Sequence, residues 1–434
     1  MDKSGYRPIP HALFEYITFL VQALPLRSVP TFIELLIGAM LTQAGFVTQA
    51  WLAVNMHRHW TSYYKWLQKG RWSWVALGRQ MIKLLLRFFP QSTWFFVIDD
   101  TVVFRASKKA PGSKFHHQHG SKANRPDFVR GQCWVSLAAV VRKGLRSAAI
   151  PLLARLIGTT GNTSKLDAAK VLARVAATIV EGQTVCFLLD SWYMRRTLLT
   201  HLLSLGFDVV GQVRIDTALF EPPRHTGKRG RPRKYGEKYT PEKVLTLPET
   251  RGLFFVYGKW QWVRYRSAVV AARFLRGLKV RVVWLRFEDA EGNLMNLRLI
   301  LSTNWSLSPA RIITDYARRW TIETMFNQIK NGWGWKEAWQ QSRQVLHRWV
   351  QILSLGYALP QLLALEGGFD VQALARLEPW REKSPLTAGR VRTGLRRILG
   401  HVRIRRWWNP KSRKFEPPAG GKPPPKTDYD AKAA

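Results

Sequence analysis

The amino-acid sequence predicts an α/β protein with an additional helical region at its N-terminus, and three observations carry this prediction. Residues 11–90 contain helix-length apolar segments, of which residues 31–43 are apolar on most faces. From residue 94 onward, short runs rich in β-branched and aromatic residues replace them, which is typical of strands. Strand-like and helix-like segments then alternate up to residue 213, which indicates a sheet with helices packed on it.

The order of the predicted elements identifies the kind of sheet. Three strands are followed by a helix, a strand, a helix and a last strand, at residues 94–104, 131–141, 146–157, 165–181, 184–190, 192–205 and 207–213. The order βββαβαβ matches a ribonuclease H-like core, in which three antiparallel strands precede parallel strands that alternate with helices. The predicted fold class is therefore α/β with a ribonuclease H-like core.

The predicted core is interrupted after residue 213. Residues 221–236 are basic and turn-rich without a hydrophobic period, which predicts a loop. Within it, residues 229–232 have the core of a minor-groove hook, and a solvated basic loop is the alternative. Short strands are predicted next, at residues 243–247, 253–257, 260–270, 278–287 and 296–302. We therefore expect a β-rich insertion, after which the core resumes at Ser308.

The balance of charge indicates a polyanionic partner. The chain has 68 Lys and Arg against 28 Asp and Glu, a formal net charge of +40, and such a surface favours a nucleic acid. The apolar stretches are too short to span a membrane, and no signal-peptide pattern is present. Cys133 and Cys186 lie in strand-like runs as small core residues, so we expect a reducing, cytoplasmic location.

Three acidic residues stand where a nuclease of this fold needs them. Asp99 ends the first predicted strand, Asp190 ends the fourth, and Glu323 lies on a later helix. In a ribonuclease H-like sheet the first and fourth strands are neighbours, so both aspartates emerge at one end of the sheet. Cleavage of a phosphodiester is served by two Mg²⁺ ions about 3.5–4 Å apart, and Mg²⁺ prefers carboxylate oxygens. The three acids predict metal-dependent chemistry on nucleic acid.

The helix that carries Glu323 is well marked by its ends. Ser308 is a typical N-cap, Pro309 suits the first helical position, and Gly332 ends the segment, which predicts one continuous helix. At 100° per residue, four polar side chains fall within a sector of about 60°. They are Tyr316, Arg319, Glu323 and Lys330. Taken alone, this pattern is also that of an exposed, salt-bridged helix face.

The spacing Y-x2-R-x3-E-x6-K of these four residues resembles the signature of one group of insertion-sequence transposases, the DD(E) transposases with a β-strand insertion. The segment 318–326, the Asp-x-Thr pattern at Asp99 and the Leu-Asp-Ser-Trp at Asp190 resemble that group as well. The resemblance covers roughly residues 90–355. Asp100 points to the opposite side of the strand from Asp99, and the Asp-x-Thr pattern favours Asp99 over this alternative.

The resemblance implies a fold, an activity and roles for named residues. The fold is ribonuclease H-like, and the activity is metal-dependent strand cleavage and strand transfer of an insertion sequence by cut and paste. The implied partners are double-stranded DNA, as transposon ends and target, and a second copy of the chain in a homodimer. Two Mg²⁺ ions, with Mn²⁺ as a substitute, are held by Asp99, Asp190 and Glu323, and DNA phosphates are contacted by Tyr316, Arg319 and Lys330.

Two further points follow from the resemblance. In this group the excised ends can pass through a hairpin with a flipped base stacked on a tryptophan. The candidates are Trp320, Trp333 and Trp335, with burial in the core as the alternative for each. A host-adapted nuclease, or a catalytically inactive DNA-binding protein derived from a transposase, is the competing interpretation, and the three intact acids argue against an inactive protein.

These features divide the chain into six predicted parts. They are an N-terminal helical, DNA-binding domain at 1–90, the first part of the catalytic core at 91–213, the β-rich insertion at 214–305, the C-terminal core helices at 306–360, a basic helical region at 361–408 and a disordered Pro/Lys-rich tail at 409–434. A plain helical scaffold is the alternative for the first part. The Arg-rich segment 390–408 binds DNA or a partner, or else packs back on the core.

Overall fold

The computed structural model describes residues 9–117, 126–158, 165–223, 233–376, 384–400 and 402–417. The predicted minor-groove hook at residues 229–232 and the tail beyond residue 417 lie outside the described residues. Within them, buried apolar side chains of the N-terminal helices, of a large mixed sheet and of the C-terminal helices form a connected hydrophobic core. The architecture is mixed α/β, which is compatible with a ribonuclease H-like domain.

Helices make up the described part of the chain before the sheet. They are α1 (His11–Leu20), α2 (Val29–Leu41), α3 (Val47–Leu52), α4 (Trp60–Lys69) and α5 (Trp74–Phe88). Helix α2 is buried along its length except at Pro30, as expected for a segment that is apolar on most faces. It packs against the long helix α11 (Arg343–Glu366), so the N-terminal helices are joined to the C-terminal half of the chain.

The central part of the sheet has the predicted order. Its strands are β1 (Trp94–Phe104), β2 (Ser113–His117), β3 (Phe128–Lys143), β4 (Arg146–Leu156), β5 (Val185–Leu189) and β6 (Asp208–Val213), with helices α6 (Lys165–Ala177) and α7 (Arg196–Ser204) between the later strands. Strand β3 pairs antiparallel with β1, β2 and β4, whereas β1–β5 and β5–β6 are parallel. Only the short edge strand β2 was not expected from the sequence.

The strands after residue 213 extend this same sheet. Strand β11 (Arg298–Ser302) pairs antiparallel with β6, and the order continues through β10 (Leu278–Phe287) and β9 (Lys259–Ala272) to β7 (Leu219–Phe220), while β8 (Thr250–Val256) also pairs with β9. The predicted strand at residues 243–247 is wrong, because α8 (Pro241–Leu245) lies there. The Thr240 hydroxyl accepts the Lys243 N–H at 3.3 Å, and Pro241 occupies the first helical position.

The helix predicted between Ser308 and Gly332 is divided in two. Helix α9 (Pro309–Ala317) and helix α10 (Thr321–Gly332) are separated by a 3₁₀ turn, Arg318–Trp320, so the prediction of one continuous helix is wrong. The Ser308 cap is confirmed, since its hydroxyl accepts the Arg311 N–H at 3.3 Å. A 3₁₀ turn leaves carbonyl groups without their α-helical partners, and the Thr321 hydroxyl donates to the Arg318 carbonyl at 2.8 Å.

Helices α12 (Phe369–Ala375) and α13 (Ala388–Leu399) follow α11, and the described part of the Arg-rich segment 390–408 packs back on the core through α13. Arg390 and Arg392 of α13 are buried, and they donate to the carbonyls of Ala375 and Gly332, at the ends of α12 and α10. The prediction that disorder begins at residue 409 is wrong for residues 409–417. A hairpin of β12 (Trp408–Asn409) and β13 (Lys414–Phe415) buries Phe415 against α1, because its aromatic side chain finds an apolar surface there.

The described residues include both cysteines and the long apolar helix α11. Cys133 and Cys186 are buried and free, in β3 and β5. Among the described helices, none is by itself long and apolar enough to cross a membrane. The helices Arg343–Glu366 and Phe369–Ala375, which are bent by 115° relative to each other, reach the necessary length and apolar composition only when taken together.

A contact between two glycines joins the N-terminal helices to the end of helix α10. A Cβ atom on Gly45 would lie 1.7 Å from the Gly334 carbonyl oxygen, and one on Gly334 would lie 1.9 Å from the Gly45 nitrogen. Glu337 accepts the Gly45 N–H at 2.8 Å, and the Trp349 indole donates to the Gly45 carbonyl at 2.7 Å. The loop after α2 is therefore held against the chain that follows α10, without room for a side chain.

We predict that Gly334→Ala lowers the free energy of unfolding by about 3 kcal/mol, because it adds a steric overlap to a left-handed backbone. Gly144→Ala is the matched control: its φ of 59° is close to the 68° of Gly334, but nothing lies within 4 Å of its Cβ position. Chemical denaturation of both variants measures the difference. Equal losses of stability would show that the close glycine contact contributes nothing.

Candidate active site

The pairing of β1 and β5 sets two of the three predicted acids side by side. These strands run parallel, and the last residues in register are Ile98 with Leu189. Asp99 directly follows Ile98, and Asp190 directly follows Leu189. Because parallel neighbouring strands lie about 4.8 Å apart, the two carboxylates emerge next to each other at the same end of the sheet.

Arg319 connects the third acid to this pair. Its Nη1 donates to Asp99 Oδ2 at 3.1 Å, and its Nη2 donates to Glu323 Oε1 at 2.6 Å. The Arg319 side chain is 13% exposed and the Asp99 side chain 16%, whereas that of Glu323 is 37% exposed. Bonds between an ionised donor and an ionised acceptor are the strong class of hydrogen bond. The guanidinium therefore holds the helical acid against the sheet end.

The pKa of Asp99, at this end of the sheet, departs strongly from its ordinary value. Burial and the negative charge of Asp190 raise the pKa of Asp99 to about 7 from its ordinary value of 3.8, even though Arg319 and the Asp100 N–H lower it. Arg319 therefore offsets only part of the cost that burial and the neighbouring Asp190 impose on the ionised Asp99 carboxylate. Strong perturbation of this kind is frequent at functional sites.

The other two residues of the predicted signature also face the sheet. The Tyr316 hydroxyl donates to Gln212 Oε1 of β6 at 3.3 Å, and Lys330 Nζ donates to Thr101 Oγ1 of β1 at 2.8 Å. Tyr316 is 5% exposed, and burial is the main reason why its pKa is raised to about 12. This helix face therefore bonds across to the sheet, which is not the arrangement of a solvated salt-bridged stripe.

Asp100 lies in a different set of contacts from Asp99. Its carboxylate accepts bonds from Lys165 Nζ at 2.8 Å and from the Tyr193 hydroxyl at 2.9 Å, and Cys133 Sγ lies 3.4 Å away. Lys165 supplies a positive charge to Asp100, as Arg319 does to Asp99, but among the described contacts no bond joins Lys165 to Glu323. Asp99, in contrast, shares Arg319 with Glu323, and this geometry favours Asp99 as the acid of the site.

Tyr193 and Lys165 were missed by sequence reasoning. The Tyr193 backbone N–H donates to Asp190 Oδ1 at 2.9 Å while its hydroxyl donates to Asp100, so it connects the two strand ends. Its position three residues after Asp190, in the turn that follows β5, is a signal that was available. For Lys165, which begins helix α6, the sequence offers no comparable signal.

The tryptophans predicted as base-stacking candidates differ in exposure. Trp333 and Trp335 are 3% and 1% exposed and pack in the core, so these two candidates are wrong. Trp333 donates to the Gly356 carbonyl at 3.1 Å and packs edge-on against Tyr357. Trp320, directly after Arg319, is 51% exposed and is the candidate that stays accessible.

The carboxylates at this end of the sheet meet part of what a divalent cation requires. No group of three or more His, Cys, Asp or Glu side chains within the described part of the chain is arranged to hold a metal ion. The Arg319 guanidinium lies between Asp99 and Glu323, so the third acid is separated from the pair. Asp99 and Asp190 do present adjacent oxygen donors of the kind that Mg²⁺ prefers. After burial, the charge of Asp190 is the next cause of the raised pKa of Asp99, and a cation would offset that repulsion.

Comparison with known proteins gives one family. Residues 31–270 match the protein family described as DDE superfamily endonuclease, which is more than half of the 434 residues. The matched range contains Asp99 and Asp190 and ends before Glu323. No curated protein matches the chain.

We predict that Asp99→Asn stabilises the metal-free protein above pH 7. Because the pKa of Asp99 is higher in the folded chain than its ordinary 3.8, the folded state keeps a proton that the unfolded state loses between these values. The free energy of unfolding then falls as pH rises through this window, by roughly 2–4 kcal/mol. Asparagine has no carboxyl group to ionise, so the Asp99→Asn variant does not lose this stability.

The measurement is denaturation in the presence of a chelator from pH 4 to pH 8. Asp216→Asn is the control, since the Asp216 side chain is 66% exposed and lies at the surface. A parent and an Asp99→Asn variant with the same pH profile would contradict an electrostatic cost at Asp99.

Proposed function

This chain belongs to the DDE superfamily of endonucleases, and we propose that it is a transposase that cuts and joins the DNA ends of an insertion sequence by cut and paste. The observation that carries the proposal is the end of the sheet, where Asp99 and Asp190 lie side by side and Arg319 ties Glu323 to them. Family membership supports transposase-type nuclease activity. The spacing of Tyr316, Arg319, Glu323 and Lys330 supports the more specific assignment.

The proposed metal ligands are Asp99, Asp190 and Glu323. DDE endonucleases typically use divalent metal ions, and we propose two Mg²⁺ ions, with Mn²⁺ as a substitute. Bound there, they would supply an activated nucleophile and neutralise charge on the phosphate. Of Asp99, Arg319 and Glu323, Glu323 has the most exposed side chain, and it accepts a bond from one guanidinium nitrogen of Arg319, so it has the freedom to turn toward a ligand.

The cationic members of the signature are proposed to position the DNA phosphate. Arg319 has a planar, bidentate guanidinium that suits phosphate as well as carboxylate, and Lys330 lies beside β1 through its bond to Thr101. Tyr316 is buried, so only its hydroxyl, now shared with Gln212, is proposed to contribute. In this proposal a DNA phosphate competes with Asp99 and Glu323 for Arg319.

The N-terminal helices are proposed to bind DNA as well. On helix α5, Arg79, Lys83 and Arg87 are exposed at a spacing of four residues, which puts them on one face, opposite the buried Leu77 and Met81. With a net charge of +40 over the chain, such a basic stripe favours phosphate contacts over a purely structural role. A homodimer holding two DNA ends is proposed from the resemblance alone.

The competing function is a host-adapted nuclease, or a DNA-binding protein without catalysis. The position of Asp99 beside Asp190, where burial and the charge of Asp190 raise the pKa of Asp99 to about 7, favours catalysis over simple binding, because two adjacent carboxylates repel the phosphate that a binding protein must hold. A transposase is distinguished from a host nuclease by inverted repeats that flank the coding region and that the protein cleaves.

We predict that Asp190→Asn and Glu323→Gln lower Mg²⁺-dependent cleavage of this flanking DNA by roughly 100- to 1,000-fold, the range known for removal of groups that stabilise a transition state. Binding of the same DNA should stay within about threefold of the parent, because neutralising a carboxylate removes repulsion from phosphate. Asp216→Asn is the surface control. Cleavage at the parent rate by either site variant would sink the assignment, and parallel loss of binding would point to misfolding.

A further inference from the structure

The hairpin that joins β8 to β9 has an unusual residue at its tip. Val256 and Lys259 are the last pair in register, so Tyr257 and Gly258 form a two-residue turn with φ of 55° and 80°. Two left-handed residues in succession are the geometry of a type I′ turn, in which asparagine followed by glycine is strongly preferred. A bulky residue such as tyrosine pays a steric cost in this conformation.

The tip reaches the turn that carries Arg319. The Tyr257 ring lies edge-on to the Trp320 ring, with centroids 6.0 Å apart and an interplanar angle of 77°. The Tyr257 ring also packs against the Phe287 ring, with centroids 5.9 Å apart, and its hydroxyl lies 3.5 Å from Arg298 Nη1. Burial raises the pKa of Tyr257, while Arg298 and Arg319 lower it and Glu323 raises it, so the phenol is within electrostatic reach of the proposed active site.

Tyr257 and Trp320 also border a cleft whose lining includes Arg318 and Trp320, the neighbours of Arg319 in the chain. The cleft, of about 700 Å³, is lined on one side by the hairpin tip and on the other by the hairpin that joins β3 to β4. Its lining includes Phe255, Tyr257 and Trp320 together with Arg142, Arg146 and Arg318. Arg146 and Arg318 are already bonded, to the carbonyls of Ala364 and Leu365 and to Asp315, respectively. The aromatic rings are therefore the groups of this cleft that suit a nucleic-acid strand, because bases stack on aromatic side chains.

We propose that Tyr257 is a substrate-contacting residue, whose ring packs against a nucleotide next to the phosphate that is cut. The proposal rests on the proposed nuclease function. It explains why a residue that disfavours the turn stands at its tip, since strained conformations persist where the side chain is needed. Asparagine or glycine would suit the backbone better, but neither supplies a ring at the edge of the cleft.

The experiment compares cleavage by Tyr257→Asn and Tyr257→Phe. Asparagine suits the left-handed turn but lacks the ring, whereas phenylalanine keeps the ring and the strained backbone. We expect Tyr257→Asn to melt within about 3 °C of the parent, an interval that corresponds to a small change in stability for a chain of this size, and to cleave flanking DNA at least tenfold more slowly. Tyr257→Phe should stay within about twofold of the parent rate.

Arg276→Asn is the matched control. Arg276 also has a positive φ, of 59°, but lies at the turn that leads into β10, without a contact to the active-site residues among those described. It should cleave at the parent rate. Parent-rate cleavage by Tyr257→Asn would overturn the proposal, and so would equal losses in Tyr257→Asn and Arg276→Asn, or a tenfold loss in Tyr257→Phe.

A second measurement separates this inference from the proposed function. Flanking duplexes that carry 5-iododeoxyuridine at successive positions are irradiated with the full-length parent in a chelator, and crosslinked residues are mapped. A crosslink at Tyr257 supports the contact even if the parent does not cleave in Mg²⁺ or Mn²⁺, in which case only the proposed function fails. A parent that cleaves but crosslinks at other residues only would overturn the inference alone.

Discussion

The parallel pairing of β1 with β5 is the constraint on which the proposed active site depends. It sets Asp99 beside Asp190 at one sheet end, and this proximity is costly, because burial and like charge raise the pKa of Asp99 to about 7. Arg319 offsets part of that cost and reaches Glu323 with its other nitrogen. Arg319 lies in the 3₁₀ turn that interrupts the helix, so the residue that balances the charge of the acids also lies at the irregular part of the backbone.

A substantial part of the positive charge supports the fold itself. Arg146 donates to the carbonyls of Ala364 and Leu365 at the end of α11, at 2.9 Å each. Arg348 donates to the Leu67, Gly70 and Trp72 carbonyls at and after the end of α4. The last carbonyls of a helix have no internal partner and carry partial negative charge. A guanidinium group donates hydrogen bonds to these carbonyls and also balances their partial negative charge. Some of the arginines that contribute to the net charge of +40 therefore stabilise the fold and are not part of a DNA-binding surface.

Local patterns predicted the central sheet well, and tertiary packing decided most of the rest. Strand β1 matches its predicted bounds, because nine of its eleven residues are β-branched or aromatic. Spacing alone cannot show that Arg318–Trp320 form a 3₁₀ turn, since its period is close to that of an α-helix. Nor can it separate buried Trp333 from exposed Trp320, or find Lys165, whose partner Asp100 is distant in sequence. The proximity of Asp99 and Asp190 was predictable, because the ends of neighbouring parallel strands meet at one edge of the sheet.

The most direct test of the proposed centre is Mn²⁺ binding, followed by electron paramagnetic resonance in the absence of DNA. If Asp99, Asp190 and Glu323 form one cation site that Arg319 partly occupies, Arg319→Ala should bind Mn²⁺ at least about tenfold more tightly than the parent, because a competing positive charge is removed. Asp190→Asn should weaken binding by a similar factor. Identical isotherms for the parent, Arg319→Ala and Asp190→Asn would contradict the assignment of this sheet end as the metal-binding site.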